Sequence, residues 1–420
     1  MKPTGLLSQA SWSLTGQIGF YGFQWLNMIL LARLSGPEAV GLYTLALAIA
    51  TPIMAVASLM LRLVYVTERS ERWSFGIFNK VRLFALPTGA LAIIATGWML
   101  GYRDLPLIVI MIAASWKMAE SMSDISYSVP HKSGEMRTIA LSMIARAGIS
   151  SIVLGMVLYS TERLDLSLIA FSAVWWACFL FYDRSLSPIE PAADRYGRVS
   201  GLIRFAAPMA LSAAIVYATF SVPRIVLDQY ETTAALGVFA AISHLLLIGM
   251  LALNSLGAAI TPRVAKYFAE HNFIAFYREI AFCVAIACFL SLAFIAVAWF
   301  AGDLIVTWIY GPGLSGYDSL VFAIALASLP LYVGSLIGFV PPALQAFRFH
   351  LLVNILTVTG TALTAFYFVP THGILGAVYA IGVQGLLQLL NALVLFKKPA
   401  PLSGSKTGEK ADLALGSAKA

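Results

Sequence analysis

Charge is scarce in this chain. Asp, Glu, Lys and Arg make up 11% of its 420 residues, where soluble proteins carry about a quarter. Apolar residues make up 60%, and no soluble fold of this length could hide that much apolar surface from water. Cysteine is nearly absent: Cys178, Cys283 and Cys288 all fall in apolar runs and read as small core residues, not as disulfides or metal ligands. Histidine is sparse and scattered, at His131, His244, His271, His350 and His372. Only His244 falls deep in a helix, where a packed, hydrogen-bonded ring is expected. There is no P-loop, HExxH, Cys/His cluster or GxSxG elbow, which excludes nucleotide hydrolysis by the chain itself and the familiar hydrolase designs. No cofactor is implied. The first apolar run follows only Lys2 and lacks a small-residue cleavage site, so it reads as a retained membrane helix and not a signal peptide.

What the chain does have is long hydrophobic runs. Twelve fall at about 12–32, 40–61, 83–101, 106–128, 138–160, 164–182, 202–223, 234–259, 275–300, 319–341, 350–370 and 373–396, each near the length that crosses a bilayer. The expected fold class is an all-α polytopic membrane protein. Arg33–Ala39, Tyr102–Leu105 and Thr161–Leu164 are short, nearly neutral connections, and the outer loop with the greatest length is expected at about Ala301–Tyr317. The alternate loops are longer and basic. Of 27 Lys and Arg, about 21 lie on one side and about three on the other, which predicts cytoplasmic termini in a bacterial inner membrane. The chain divides into a six-helix lobe over 1–182, a linker over 183–200, a second six-helix lobe over 201–397 and a disordered cytoplasmic tail over 398–420. Val40-Gly41-Leu42-Tyr43 is echoed by Leu236-Gly237-Val238-Phe239, and Pro130 and Gly148 by Pro342 and Gly360. Six helices per half implies parallel repeats, with a site between them near mid-membrane.

The fourth run carries Lys117, Glu120 and Asp124 on one helix face, continued by Tyr127 and His131. Each ionisable group at the bilayer centre costs roughly 2.5–3.5 kcal/mol, so this stripe faces other helices or a water-filled cavity. Arg146 and Arg224 are the other deep charges. Together with Lys117, and with Arg62 and Arg204 at the cytoplasmic helix ends, they would make a cationic lumen suited to a diphosphate, because guanidinium forks match phosphate oxygens. Glu120 and Asp124 are candidates for ion coupling. The alternative is a structural Lys117–Glu120 ion pair. Arg62 and Arg204, at helix ends, read as interface anchors. Pro52 and Pro208 lie inside spans and are candidate hinges, and Gly373, Gly376, Gly382 and Gly385 form a small-residue packing face.

The segment Trp116–Tyr127, followed by Ile139–Gly148, resembles the fourth and fifth helices of bacterial polysaccharide flippases of the multidrug/oligosaccharidyl-lipid/polysaccharide superfamily. Ile29–Glu38 leading into Gly41-Leu42-Tyr43 is similar to that family's first interhelical loop, and Phe205–Pro208 to the start of its seventh helix. The resemblance implies two six-helix lobes around a cavity that opens alternately to each side. It also implies a polyprenyl-diphosphate-linked oligosaccharide as substrate, and a cationic lumen at Lys117, Arg146 and Arg224. Where that family often has Gly and Gln, this chain has Ser128-Val129-Pro130-His131. Membrane lipids and the glycan polymerase or glycosyltransferases of the same pathway are the implied partners, with no nucleic acid. A drug/cation antiporter of the same superfamily is the alternative, although the deep charges are balanced or basic. A peptidoglycan-precursor flippase is expected to be longer. A membrane polymerase or ligase would need a large outer loop, and Asp303 is the only charged residue in the one expected here. A structural scaffold has no use for a buried charged stripe.

Overall fold

The structure, a computed structural model, describes residues 5–68, 72–188 and 199–396. Among them every regular element is helical. Leu6–Ser58 is one helical run broken at Gly36, whose φ of 80° and ψ of −177° suit only a residue without a Cβ. Pro37 then opens the next helix, where its missing N–H costs nothing. The run therefore supplies α1 (6–35) and α2 (37–58). There follow α3 (Phe75–Met99), α4 (Asp104–Ser126), α5 (Met136–Thr161), α6 (Leu164–Phe181) and α7 (Val199–Tyr230). The eighth, α8, comes in two pieces, Thr233–Ser243 and Leu246–Ala269; then come α9 (Phe273–Tyr310), α10 (Asp318–Ile337), α11 (Phe347–His372) and α12 (Ile374–Gln388), which Leu389–Phe396 extends as a 3-10 helix. The protein is an all-helical, multi-pass membrane protein.

Three boundaries depart from the hydropathy reading. Helix α3 starts at Phe75, eight residues early, because Phe75, Ile77, Phe78 and Val81 are buried against Leu61 and Val64 of a short helix, Leu61–Thr67. Lys80 and Arg82 break the apolar run without breaking the helix. Helix α8 is interrupted at His244 and Leu245. Helix α9 bends at Ala301 (φ −144°, ψ 19°) and runs on to Tyr310, so the expected outer loop is half helix. Val306 and Tyr310 are buried there, and Asp303 accepts the Gly316 N–H at 2.7 Å. The helical runs continue through Pro52 and Pro208. Cys178, Cys283 and Cys288 are free thiols. Most of the expected linker, 189–198, and the tail beyond 396 lie outside the described residues.

The first six helices pack on one another, as do the last six, and α1 and α2 lie along α7 and α8. At the end opposite the basic loops, Gly41 and Gly237 bring the two halves into backbone contact. A Cβ on Gly41 would lie 1.9 Å from the Thr233 carbonyl oxygen, and one on Gly237 1.7 Å from that of Pro37. Nearby, the Arg33 guanidinium donates to the Ile309 carbonyl at 2.8 Å and to that of Trp308, and Trp25 Nε1 donates to the Tyr310 hydroxyl at 2.8 Å. Tyr102, between α3 and α4, lies beside Asp228 of α7; burial and that carboxylate push its hydroxyl pKa above the usual range. At the basic end, Leu202, Ala206 and Ala210 of α7 pack on Leu61, Val64 and Phe78, with the Trp73 and Phe205 rings 5.6 Å apart.

Candidate functional site

One face of α4 is fixed by packing. Trp116 stacks on Tyr43 at 5.8 Å and meets Phe171 edge-on at 5.4 Å, while Ala113 and Ala119 are buried beside it. The adjoining face carries Lys117, Glu120, Ser121 and Asp124, and all four line a cavity of about 470 Å³ in the basic half of the bundle. Helices α1, α2 and α5 and the start of the Leu61–Thr67 segment supply most of the remaining wall, and Tyr217 of α7 is the lining residue from the second half.

The charges in this wall come as pairs. Lys117 Nζ donates to Glu120 Oε2 at 2.6 Å, one helical turn away. Arg62 Nη1 meets Asp124 Oδ1 at 3.3 Å, and Arg82 Nη2 lies 3.5 Å from Asp124 Oδ2. Arg146 Nη1 donates to Asp183 Oδ2 at 3.3 Å. Asp183 is fully buried at the end of α6. It also accepts the Ser142 hydroxyl, and the Tyr127 hydroxyl at 3.2 Å, while the Trp175 ring lies 4.3 Å from the Arg146 guanidinium carbon. Removing one partner of such a buried pair strands the other, at a cost of about 3–5 kcal/mol.

The structure thus gathers Lys117, Glu120, Asp124 and Arg146 around one cavity, with Tyr127 and His131. It does not bring Arg224 there. That residue lies on α7, two turns beyond Tyr217, with no ion-pair partner among the described residues. Arg62, expected as an interface anchor, points instead into the cavity and bonds Asp124, because Leu61–Thr67 folds back as a helix against α3 and α4. Arg204 is exposed. Arg82 and Asp183 were not legible as site residues: the first sits in a basic run, the second at the start of the expected linker. Asp183 had one available signal, an acid directly abutting an apolar span. Among the described residues no group of three or more His, Cys, Asp or Glu could hold a metal ion.

Comparison with protein-family models gives no match. The chain is 23% identical over 381 residues to a capsular polysaccharide biosynthesis protein, CapF, of Staphylococcus aureus, covering 89% of this chain and 95% of that one. Among solved structures it superposes on the lipid II flippase MurJ in an inward closed conformation, with a TM-score of 0.71, 13% identity, and coverage of 93% and 88% of the two chains. A multidrug resistance MATE-family transporter gives a TM-score of 0.60 at 12% identity, covering 94% of each chain. A transporter from Pyrococcus furiosus, described as having a binding pocket of reversed polarity, gives 0.63 at 13% identity, covering 93% and 96%. The fold is that of the multidrug/oligosaccharidyl-lipid/polysaccharide transporter superfamily. The proteins that share it here are transporters, not enzymes.

Proposed function

We propose that the protein flips a polyprenyl-diphosphate-linked oligosaccharide from the inner to the outer leaflet of a bacterial inner membrane, for cell-surface or exopolysaccharide assembly. Cytoplasmic termini belong to this reading, with the basic end facing the donor leaflet. The observation that carries it is the cavity wall: cations and carboxylates alternate within hydrogen-bonding reach of one another around a space that apolar helices enclose. A diphosphate can compete for the cations, and sugar hydroxyls can bond the carboxylates released. The relation to a capsular polysaccharide biosynthesis protein supports the same substrate class. A drug/cation antiporter would want carboxylates open to an organic cation, whereas Glu120 and Asp124 are already in ion pairs with Lys117, Arg62 and Arg82.

In this mechanism Lys117 and Arg146 stand along the path of the charged head group. Glu120 is the carboxylate assigned to coupling with an ion gradient, since its single partner, Lys117, is also the residue that would meet substrate. Rocking of the halves about the Gly41–Gly237 contact and its counterpart near Trp73 and Phe205 exchanges access between the two sides. The test is the lipid-linked glycan pool of a deletion strain, complemented with wild type, Lys117→Ala or Glu120→Gln. Accumulation of a polyprenyl-diphosphate oligosaccharide on the inner leaflet, cleared by wild type alone, is expected. An unchanged pool, with altered efflux of cationic drugs, would refute the proposal.

A further inference from the structure

We propose that Arg62 and Arg82 form a phosphate-binding site at the basic mouth of the cavity, and that Asp124 is an internal stand-in which the phosphate displaces. Three observations converge. The first is stoichiometry: Lys117 and Arg146 each have a carboxylate of their own, but Arg62 and Arg82 share Asp124, two cations to one anion. The second is unmet donors. Arg82 is 0% exposed, and none of its three nitrogens makes a hydrogen bond within the protein; Arg62 Nε is buried in the same condition. Buried guanidinium N–H groups are expensive to leave without acceptors, and one carboxylate 3.5 Å away does not satisfy a fork of five. The third is access. The Asp124 side chain is 40% exposed and that of Arg62 22%, both on the cavity wall, with Arg82 directly behind Asp124.

These positions describe a carboxylate holding two forks apart at the place a larger oxyanion would bridge. A phosphate has more oxygens and more charge than a carboxylate, and bidentate pairing with two guanidiniums suits it. The Tyr127 ring, 5.6 Å from the Arg62 guanidinium carbon, backs that fork. Displaced Asp124 can swing toward the cavity, where it is already partly solvated. Phosphate binding at this site does not depend on flipping. That the phosphate is the head group of a lipid-linked glycan rests on the function proposed above.

The test is calorimetric titration of the purified full-length protein in nanodiscs with inorganic diphosphate and, separately, with farnesyl diphosphate. Arg62→Gln and Arg82→Gln are each expected to weaken binding by about tenfold or more, the scale of a lost charge-assisted hydrogen bond. Arg204→Gln should leave it within about threefold, since that arginine is exposed and lies off the cavity wall. The decisive variant is Asp124→Asn, which keeps the side-chain shape and removes the competitor. It should tighten binding, a gain that misfolding cannot imitate. Farnesyl diphosphate binding far more tightly than inorganic diphosphate identifies a lipid head group as the source; equal affinities identify a free phosphate compound. Weaker binding in Asp124→Asn, unchanged binding in the two arginine variants, or no binding of either probe by wild type overturns the proposal. Intact diphosphate binding alongside an unchanged glycan pool in the deletion strain would sink the flippase reading and leave this site standing.

Discussion

Gly41→Ala is the substitution from which the structure predicts most. The added methyl carbon falls 1.9 Å from the Thr233 carbonyl oxygen and 2.8 Å from its carbonyl carbon. A relaxed contact is about 3.5 Å, so the halves must separate by about 1.6 Å at this point. The nearest obstacle is backbone, so no rotamer change relieves it. Overpacking of this kind costs about 1–3 kcal/mol. Because the cost is borne only while the two halves touch at this end, it acts as a bias of about 5- to 150-fold toward conformations open there. The assay is double electron–electron resonance with spin labels at Thr161 and Thr371, exposed positions at the ends of α5 and α11, after replacing Cys178, Cys283 and Cys288. Gly41→Ala should shift the distance distribution to longer values. Gly22→Ala, whose methyl would meet nothing within 4 Å, should leave it unchanged. A folded Gly41→Ala protein with the wild-type distribution would refute the argument that this contact holds the far end closed.

Other outcomes follow from the same geometry. Gly237→Ala should open the same end, and its effect should not add to that of Gly41→Ala, since both act on one contact; the same distance measurement checks both. Arg33→Ala removes the donors to the Trp308 and Ile309 carbonyls and should loosen that end by a smaller amount, about 1 kcal/mol given its exposure. Asp183→Asn strands the Arg146 guanidinium in a buried site and should cost about 3–5 kcal/mol, read as a fall in thermal midpoint in detergent. Glu120→Gln should destabilise more than the paired Lys117→Met/Glu120→Met protein, because the single change leaves an unpartnered charge; if the pair is the less stable of the two, the reasoning about this ion pair fails. Single cysteines at Ser133 and Thr161, probed with a membrane-impermeant maleimide in whole cells, should react only at Thr161 if the basic end faces the cytoplasm.

The membrane fold and the α4 stripe were legible because both are local patterns. Hydrophobic length marks a span, and spacings of three and four mark a helix face, whatever the helix packs against. The echo of Gly41 in Gly237 was legible for a similar reason, and the structure shows the purpose of both glycines: the halves approach through them. Partners were not legible. Nothing local says that Arg62 turns back toward Asp124, because that depends on Leu61–Thr67 forming a helix across a loop rich in arginine. Arg82 was hidden by its own charge, which broke the apolar run that α3 continues through. Asp183 was assigned to a linker because hydropathy ends at Phe181, although three side chains, one from the segment between α4 and α5 and two from α5, hold it in place. Arg224 was grouped with the lumen by depth alone, and depth does not say which way a side chain faces.

The one-to-one pairing of Lys117 with Glu120 and of Arg146 with Asp183 also has an electrical meaning. An elementary charge carried through a membrane potential of 100 mV exchanges about 2.3 kcal/mol with the field. Those two neutral pairs move through that field at almost no cost, so voltage acts on the unloaded protein through its unbalanced charge, the two arginines that share Asp124. The potential would act on a charged cargo as well. On the function proposed above, with the basic end in the cytoplasm and the cell interior negative, an anion leaving from that side would run downhill, and each negative charge on it would contribute to driving the loaded stroke forward.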